Sequence, residues 1–108
     1  MKVKEKNNVV VFKRINESLE NIAEKIIEQS HLYKDKNVIV DLEDDELRPS
    51  QLIPFEVIAA KQREQKKSFV LIASIDFDEV AEEMIVVPTL QEGFDIIEME
   101  EIERDLGF

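Results

Sequence analysis

The chain has no cysteine, no tryptophan, a single histidine, two glycines, and fourteen basic residues against twenty-five acidic ones. The absence of cysteine excludes disulfide staples, thiolate nucleophiles and cysteine-ligated zinc, and it fits a reducing cytoplasm. The lone histidine, His31, has no second histidine or cysteine with which to hold a transition metal, and no nucleophile pattern to activate. Just past a helix end it reads as a surface residue. No glycine-rich phosphate loop, triad spacing or metal motif is present, so no residues stand ready for catalysis and no cofactor is expected. The shortage of bases leaves a formal charge of -11, which repels phosphate backbones and anionic head groups and makes nucleic acid and membrane surfaces poor partners. Long hydrophobic runs are missing too. Phe69 to Ala73 is far too short to span a bilayer, and Met1-Lys2-Val3-Lys4 leads into a polar stretch instead of the apolar core of a signal peptide. The expectation is an acidic cytoplasmic protein.

What is present suffices for one domain. A chain of 108 residues is near the usual domain size, its 44% apolar residues can supply a core, and its 36% charged residues can supply a surface. There is no internal repeat, low-complexity tract or linker, so residues 1–108 read as a single layered domain with residues 1–7 frayed at its start. Lys2 to Lys6 and Val9 to Phe12 flank Asn7-Asn8, a pair that tolerates the positive φ of a tight hairpin turn. From Asn16 to Gln29, Leu19, Ile22, Ala23, Ile26 and Ile27 recur at three and four, which predicts a helix capped by Asn16 or Ser18 and stapled by Ile15. Asn37 to Leu42 reads as a central strand, and the acidic run Glu43-Asp44-Asp45-Glu46 follows it. Ser50 can open the next helix, with Leu52, Phe55, Ile58 and Ala59 facing inward and Pro54 in the first turn, unless the start slides to Ile53. Phe69 to Ala73 is a further buried strand. Asp76 with Glu79 resembles a capping box for a short helix ending near Glu83, and Ile85 to Val87 is the last strand. Thr89-Leu90-Gln91-Glu92 is a capping box for a final helix with Leu90, Phe94, Ile97, Ile102 and Leu106 inside and Gly107 as its C-cap. The order β-β-α-β-α-β-α-β-α implies an α/β fold with right-handed crossovers. It predicts about four helices on a mixed, mostly parallel sheet of four to five strands, only the first of them antiparallel.

The order of elements and several local strings resemble the STAS domain, the fold of anti-sigma-factor antagonists and of the cytoplasmic tails of sulfate transporters. In that family a strand ending in Asp-Leu is followed by a loop and then Asp-Ser-x-Gly at a helix start. Val38-Ile-Val-Asp41-Leu42 is similar to that strand, and Ser50 stands nine positions after Asp41, where the family's phosphorylatable serine falls. Pro49 takes the place of the acid before that serine and Leu52 the place of the glycine after it. Phe69 to Ala73 resembles the third long strand, and Ile85-Val-Val-Pro-Thr89 with Leu90-Gln-Glu-Gly-Phe94 resembles the last strand and helix. The C-terminal string from Pro88 is also similar to short STAS-like chains of Bacteroidetes sometimes labelled ribonuclease Z. A nuclease of that type needs a histidine- and aspartate-rich two-metal cluster, which a chain with one histidine cannot build. The resemblance implies a non-catalytic regulatory module that binds a protein partner, such as an anti-sigma factor with a kinase-like fold. The alternatives are an accessory subunit of an RNA-processing hydrolase and a small-ligand domain with its cleft beside Asp41.

Each candidate site has a plainer reading. Ser50 can be phosphorylated, with the phosphate meeting the free amides of a helix start, or can simply cap that helix. The acidic run 43–46 lies where open α/β sheets place ligands, but it lacks EF-hand spacing and reads as a solvated loop. Lys61, Arg63, Lys66 and Lys67 can grip an acidic partner, or can complement the dipole of their helix. The final helix carries seven acids (Glu92, Asp95, Glu98, Glu100, Glu101, Glu103, Asp105) and one base, Arg104. Its acidic C-terminus opposes the dipole, a cost that a basic partner would offset. Ile96, Met99 and Phe108 fall off the inner stripe. The expected partner surface is therefore Arg48, Ser50, Gln51 and Phe55 with Met99 and Phe108.

Overall fold

The computed structural model describes residues 1–74 and 84–107, with the backbone alone at 44–46. Among the described residues there are five strands, β1 (Lys2–Lys6), β2 (Val9–Lys13), β3 (Asn37–Glu46), β4 (Phe69–Ser74) and β5 (Ile85–Val87), and three α-helices, α1 (Leu19–Glu28), α2 (Glu56–Glu64) and α3 (Leu90–Asp105). Two 3₁₀ segments, Ser30–Tyr33 and Pro49–Phe55, complete the list of elements. The short helix expected at 76–83 lies outside the described residues. The strands form one sheet in the order β1-β2-β3-β4-β5. β1 is antiparallel to β2, and every later pairing is parallel.

Local chemistry accounts for the elements. Asn7 and Asn8 both take positive φ, 52° and 65°, as a two-residue hairpin turn requires. β1, expected to be frayed, consequently pairs with β2 from Lys2 to Lys6, with its side chains all exposed. Ser18 rather than Asn16 caps α1, accepting from the Asn21 amide at 3.1 Å. The cap's position moves Ile15 out of staple register, and Ile15 is exposed, as is Ile27. The buried stripe is Leu19, Ile22, Ala23 and Ile26. Thr89 caps α3 by accepting from the Glu92 amide, and Gly107 ends it at φ 83°.

The helix expected from Ser50 does not begin there. Pro54 has no amide to donate, and its ring would clash with the carbonyl four residues back in an α-helix, so Pro49–Phe55 winds as 3₁₀ and α2 begins only at Glu56. Ser50 is thus an exposed residue within this segment. The inner stripe survives the change of winding, because Leu52, Phe55, Ile58 and Ala59 are all buried.

Strand alternation divides the core into two layers. Val10, Phe12, Val38, Val40, Leu42, Phe69, Leu71 and Val86 face α1, α2 and the 3₁₀ segment before α2, while Val9, Ile39, Val70, Ile72 and Val87 face α3 through Ile97. Handedness explains the division. Strands β2 to β5 are added in one direction, so right-handed crossovers put α1 and α2 on the same face, and the opposite face is left to the helix that follows β5.

α3 covers that face in a phase its sequence does not announce. Gly93 and Ile97 are its buried residues, and Phe94 and Ile96 pack partly against the sheet. Leu90, Ile102 and Leu106, expected inside, are exposed. The reason is Gly93. A Cβ there would lie 2.9 Å from Ile72 Cδ1 and 3.3 Å from Ile39 Cδ1, so the missing side chain is what lets the helix sit against the sheet at this point.

A second tie closes the first layer at the sheet's edge. The carboxylate of Glu17 accepts from the Met1 ammonium, from the Ile15 amide at 3.0 Å and from Lys25 Nζ at 3.3 Å. These donors, the ammonium foremost, hold its carboxyl well below the usual carboxylate range.

Two outcomes follow from these contacts. Gly93→Ala gains about 1 kcal/mol of helix propensity but loses about 1–3 kcal/mol to overpacking, leaving a net destabilisation of about 1 kcal/mol. Adding Ile72→Val deletes the Cδ1 that the new methyl strikes, so the double variant should unfold at higher urea than additivity allows; strict additivity would refute the close-approach account. Because the folded-state carboxyl of Glu17 titrates low, its contribution is complete above the ordinary carboxylate range and is lost as pH falls below about 4. The melting-temperature gap between wild type and Glu17→Gln should therefore be widest near neutrality and close towards acid.

Candidate functional site

Two regions of the surface, at opposite ends of the sheet, hold most of the residues singled out by sequence. At the carboxyl end of β3, Arg48, Ser50, Gln51, Ile53 and Val57 are exposed along the 3₁₀ segment and the start of α2. The Gln51 side chain accepts from the Arg48 amide at 2.7 Å, which fixes the turn in place of a serine cap. Ile53 and Val57, large apolar side chains that follow Ser50, are 58% and 66% exposed. Phe55, expected among the contact residues, is fully buried in the first core layer and supports this segment from beneath. Asp41 is committed locally: its Oδ1 accepts from the Glu43 amide at 3.0 Å, bracing Glu43 at φ 60°, and Glu43 in turn pairs with Lys13 at 3.1 Å.

At the amino ends of β3 and β4 the structure assembles a group that the sequence scattered. Asn37, Gln62 and Ser68 are buried polar residues. Asn37 Oδ1 accepts from the Ser68 amide at 2.8 Å, and Asn37 Nδ2 donates to Glu101 Oε1 on α3. Gln62 Nε2 donates to the carbonyls of Lys36 at 2.9 Å and Ser68 at 3.2 Å. Ser68 Oγ donates to Glu100 Oε1 and accepts from Arg104 Nη2 at 3.2 Å; the same guanidinium nitrogen lies 3.4 Å from Asn37 Oδ1. Two strands and two helices are thereby joined by hydrogen bonds, and no buried side-chain polar atom of the described residues is left without a partner. The one base of the acidic helix is thus turned inward, while its acids mostly face solvent.

Beside this network opens a cleft of about 410 Å³. Ala59, Phe69 and Ile85 give it an apolar lining, and Arg63, Lys66, Lys67 and Arg104 surround it, with Glu100 the one carboxylate among the described lining residues. The basic stretch of α2 and the one base of α3 therefore converge, apart from Lys61, which lines a separate depression with His31 and Lys34. Both halves are visible in the sequence, and the packing of α3 across the amino ends of the strands brings them together.

On α3, Met99 is 57% exposed, and Ile102 and Leu106 continue the same outer stripe among Asp95, Glu98, Glu103 and Asp105. Phe108 lies outside the described residues, as do the side chains of residues 44–46. Among the described residues no group of three or more potential ligands could hold a metal ion, and no helix is long and apolar enough to cross a membrane. No protein-family model, curated protein or solved structure matches the chain.

The polar network predicts a pH-sensitive variant. Asn37→Asp keeps the acceptor for Ser68 but sets a carboxylate against Glu101 in a buried place, which should destabilise the fold by about 2 kcal/mol at neutral pH. Like charge from Glu101 and burial both raise the new group's pKa, and the Arg104 guanidinium 3.4 Å away, already bonded to Ser68, offsets them only in part, so the loss should shrink as pH falls towards the ordinary carboxylate range; a pH-independent loss in urea titrations would contradict the arrangement.

Proposed function

We propose that this chain is a non-catalytic regulatory module of the cytoplasm that binds a protein partner, in the manner of the STAS-like anti-sigma-factor antagonists it resembles. The supporting observation is the surface at the carboxyl end of β3. Ser50 is exposed there, and Ile53 and Val57 follow it at three and seven positions with their side chains in solvent. Leu52, Phe55 and Ile58 anchor the same segment in the core, so the exposed side chains are presented on a fixed base. Isolated exposed apolar residues are ordinary, but two on adjoining turns beside a modifiable hydroxyl form a contact surface that one phosphate can disturb. A dianion at Ser50 would sit next to apolar groups that a partner must desolvate, and the cost of burying it would fall on the complex.

The outer face of α3 supports the same reading. Met99, Ile102 and Leu106 form an apolar stripe flanked by carboxylates, which suits a basic amphipathic segment of the partner. Binding there would weaken as salt rises.

Affinity capture from the native cell with four baits tests the proposal. Wild type and Ser50→Ala should retain an anti-sigma factor with a kinase-like fold. Ser50→Asp and Ile53→Lys should bind it at least about tenfold more weakly, the loss of one interface anchor. Equal retention on Ser50→Asp and Ser50→Ala would remove the switch. Recovery of a nuclease in place of a kinase-like protein would instead favour an accessory subunit of an RNA-processing hydrolase.

A further inference from the structure

We propose that the cationic cleft between the C-terminal ends of α2 and α3 binds a small phosphate monoester that carries an apolar or aromatic group. The site is separate from the Ser50 surface, at the other end of the sheet, and stands or falls independently of the partner-binding reading.

Its walls have the chemistry that such a ligand needs. Four cations, Arg63, Lys66, Lys67 and Arg104, line one concavity, and Phe69, Ala59 and Ile85 supply an apolar lining. The volume of about 410 Å³ falls within the range of roughly 300–1,000 Å³ usual for small-molecule sites. Arg104 is held by Ser68 and Asn37, so one guanidinium is positioned before any ligand arrives. In a chain where acids outnumber bases twenty-five to fourteen, surface lysines have carboxylates in excess to pair with. Lys66 and Lys67 nevertheless form no ion pair among the described residues. Glu100, the one acid among the described residues of the lining, has an oxygen occupied by the Ser68 hydroxyl.

The backbone at Lys66 adds an independent observation. α2 ends in a Schellman motif, with the Lys66 amide donating to the Arg63 carbonyl at 3.0 Å and the Lys67 amide to the Gln62 carbonyl at 2.8 Å. The residue at the centre of that motif takes a left-handed conformation, here φ 60°, and glycine is the residue that does so without steric cost. Asn7, Asn8 and Asp35 also have positive φ, but their short polar side chains tolerate it, and Glu43 is braced by Asp41 and paired with Lys13. Lys66 has neither support. A lysine kept where glycine would be more stable, at the rim of a cleft lined by cations, is a residue whose charge is in use.

Stability and binding can therefore be separated in one variant. Lys66→Gly should raise the melting temperature and yet weaken binding of phenyl phosphate about tenfold, the effect of losing one charge-assisted contact. Lys67→Gln should weaken binding to a similar degree with no gain in stability. In ¹⁵N–¹H spectra of the full chain, phenyl phosphate should shift the amides of Lys66, Lys67 and Ser68 saturably. Inorganic phosphate should shift the same amides with lower affinity, because it cannot use the apolar lining. Absence of localised shifts, equal shifts from sodium chloride at matched ionic strength, or unchanged affinity in both variants would overturn the proposal. So would a polyglutamate peptide that binds the cleft more tightly than phenyl phosphate.

Discussion

One missing side chain decides how the second face of this sheet is closed. Right-handed crossovers commit α1 and α2 to the first face, so among the described helices α3 alone covers Ile39, Val70, Ile72 and Val87. A single helix can bury that much apolar surface only by lying close, and it does so at Gly93, where an added Cβ would lie 2.9 Å from Ile72 Cδ1 and 3.3 Å from Ile39 Cδ1. Once Gly93 faces the sheet the rotation of the helix is set. Ile97, one turn further on, must face the sheet as well, and another turn carries Glu100, Glu101 and Arg104 over the amino ends of β3 and β4. Met99, Ile102 and Leu106 are left outside by the same rotation.

The polar network is the counterpart of that choice. A helix that presents two carboxylates and a guanidinium to the edge of a core needs partners for them, because unpaired polar groups there cost on the order of 1–3 kcal/mol each. Asn37 and Ser68 meet this need with their side chains, and the Asn37 side chain also accepts from the Ser68 backbone amide, tying the starts of two neighbouring strands. Gln62 brings α2 into the same network through backbone carbonyls. The formal charge of -11 is thus distributed with a pattern: α3 turns its one base towards the sheet and most of its acids towards solvent, and the bases of α2 gather beside it.

Most of the scaffold was legible in sequence because its signals are local. The Asn7-Asn8 turn, the Ser18 and Thr89 caps, the β-branched runs of β3 and β5 and the Gly107 stop each depend on a few consecutive residues, and the alternation of strands and helices then implies a largely parallel sheet with one antiparallel edge. The misreadings are where non-local packing or backbone chemistry outweighs periodicity. Apolar residues lie all around α3, so a stripe through Leu90, Ile102 and Leu106 looked as good as the true one, and only the absent Cβ of Gly93 distinguishes them. Phe55 was expected on a partner surface and is instead the core support of the segment that carries Ser50. Its inward stripe was correctly read, but Pro54 changed the winding, and with it Ser50 ceased to be a helix cap. The cleft was legible only in halves, since nothing local joins Lys66 to Arg104.

The position of that cleft follows from the same topology. In a βαβ unit the crossover helix runs against the strands, so its C-terminus lies over their amino ends. Cations favoured at the C-terminus of α2 by its dipole are therefore delivered to the amino ends of β3 and β4. α3 runs back from β5 in the same sense and ends nearby, bringing acids that oppose its dipole and the one arginine that does not. Dipole complementarity alone would account for Lys61 and Arg63, which lie within the last turns of α2. It does not account for Lys66, which stands beyond the helix in a left-handed conformation that glycine would adopt more readily. Helix electrostatics thus explains why positive charge collects at this end of the sheet, and the strained lysine marks the part of that charge which the fold itself does not require.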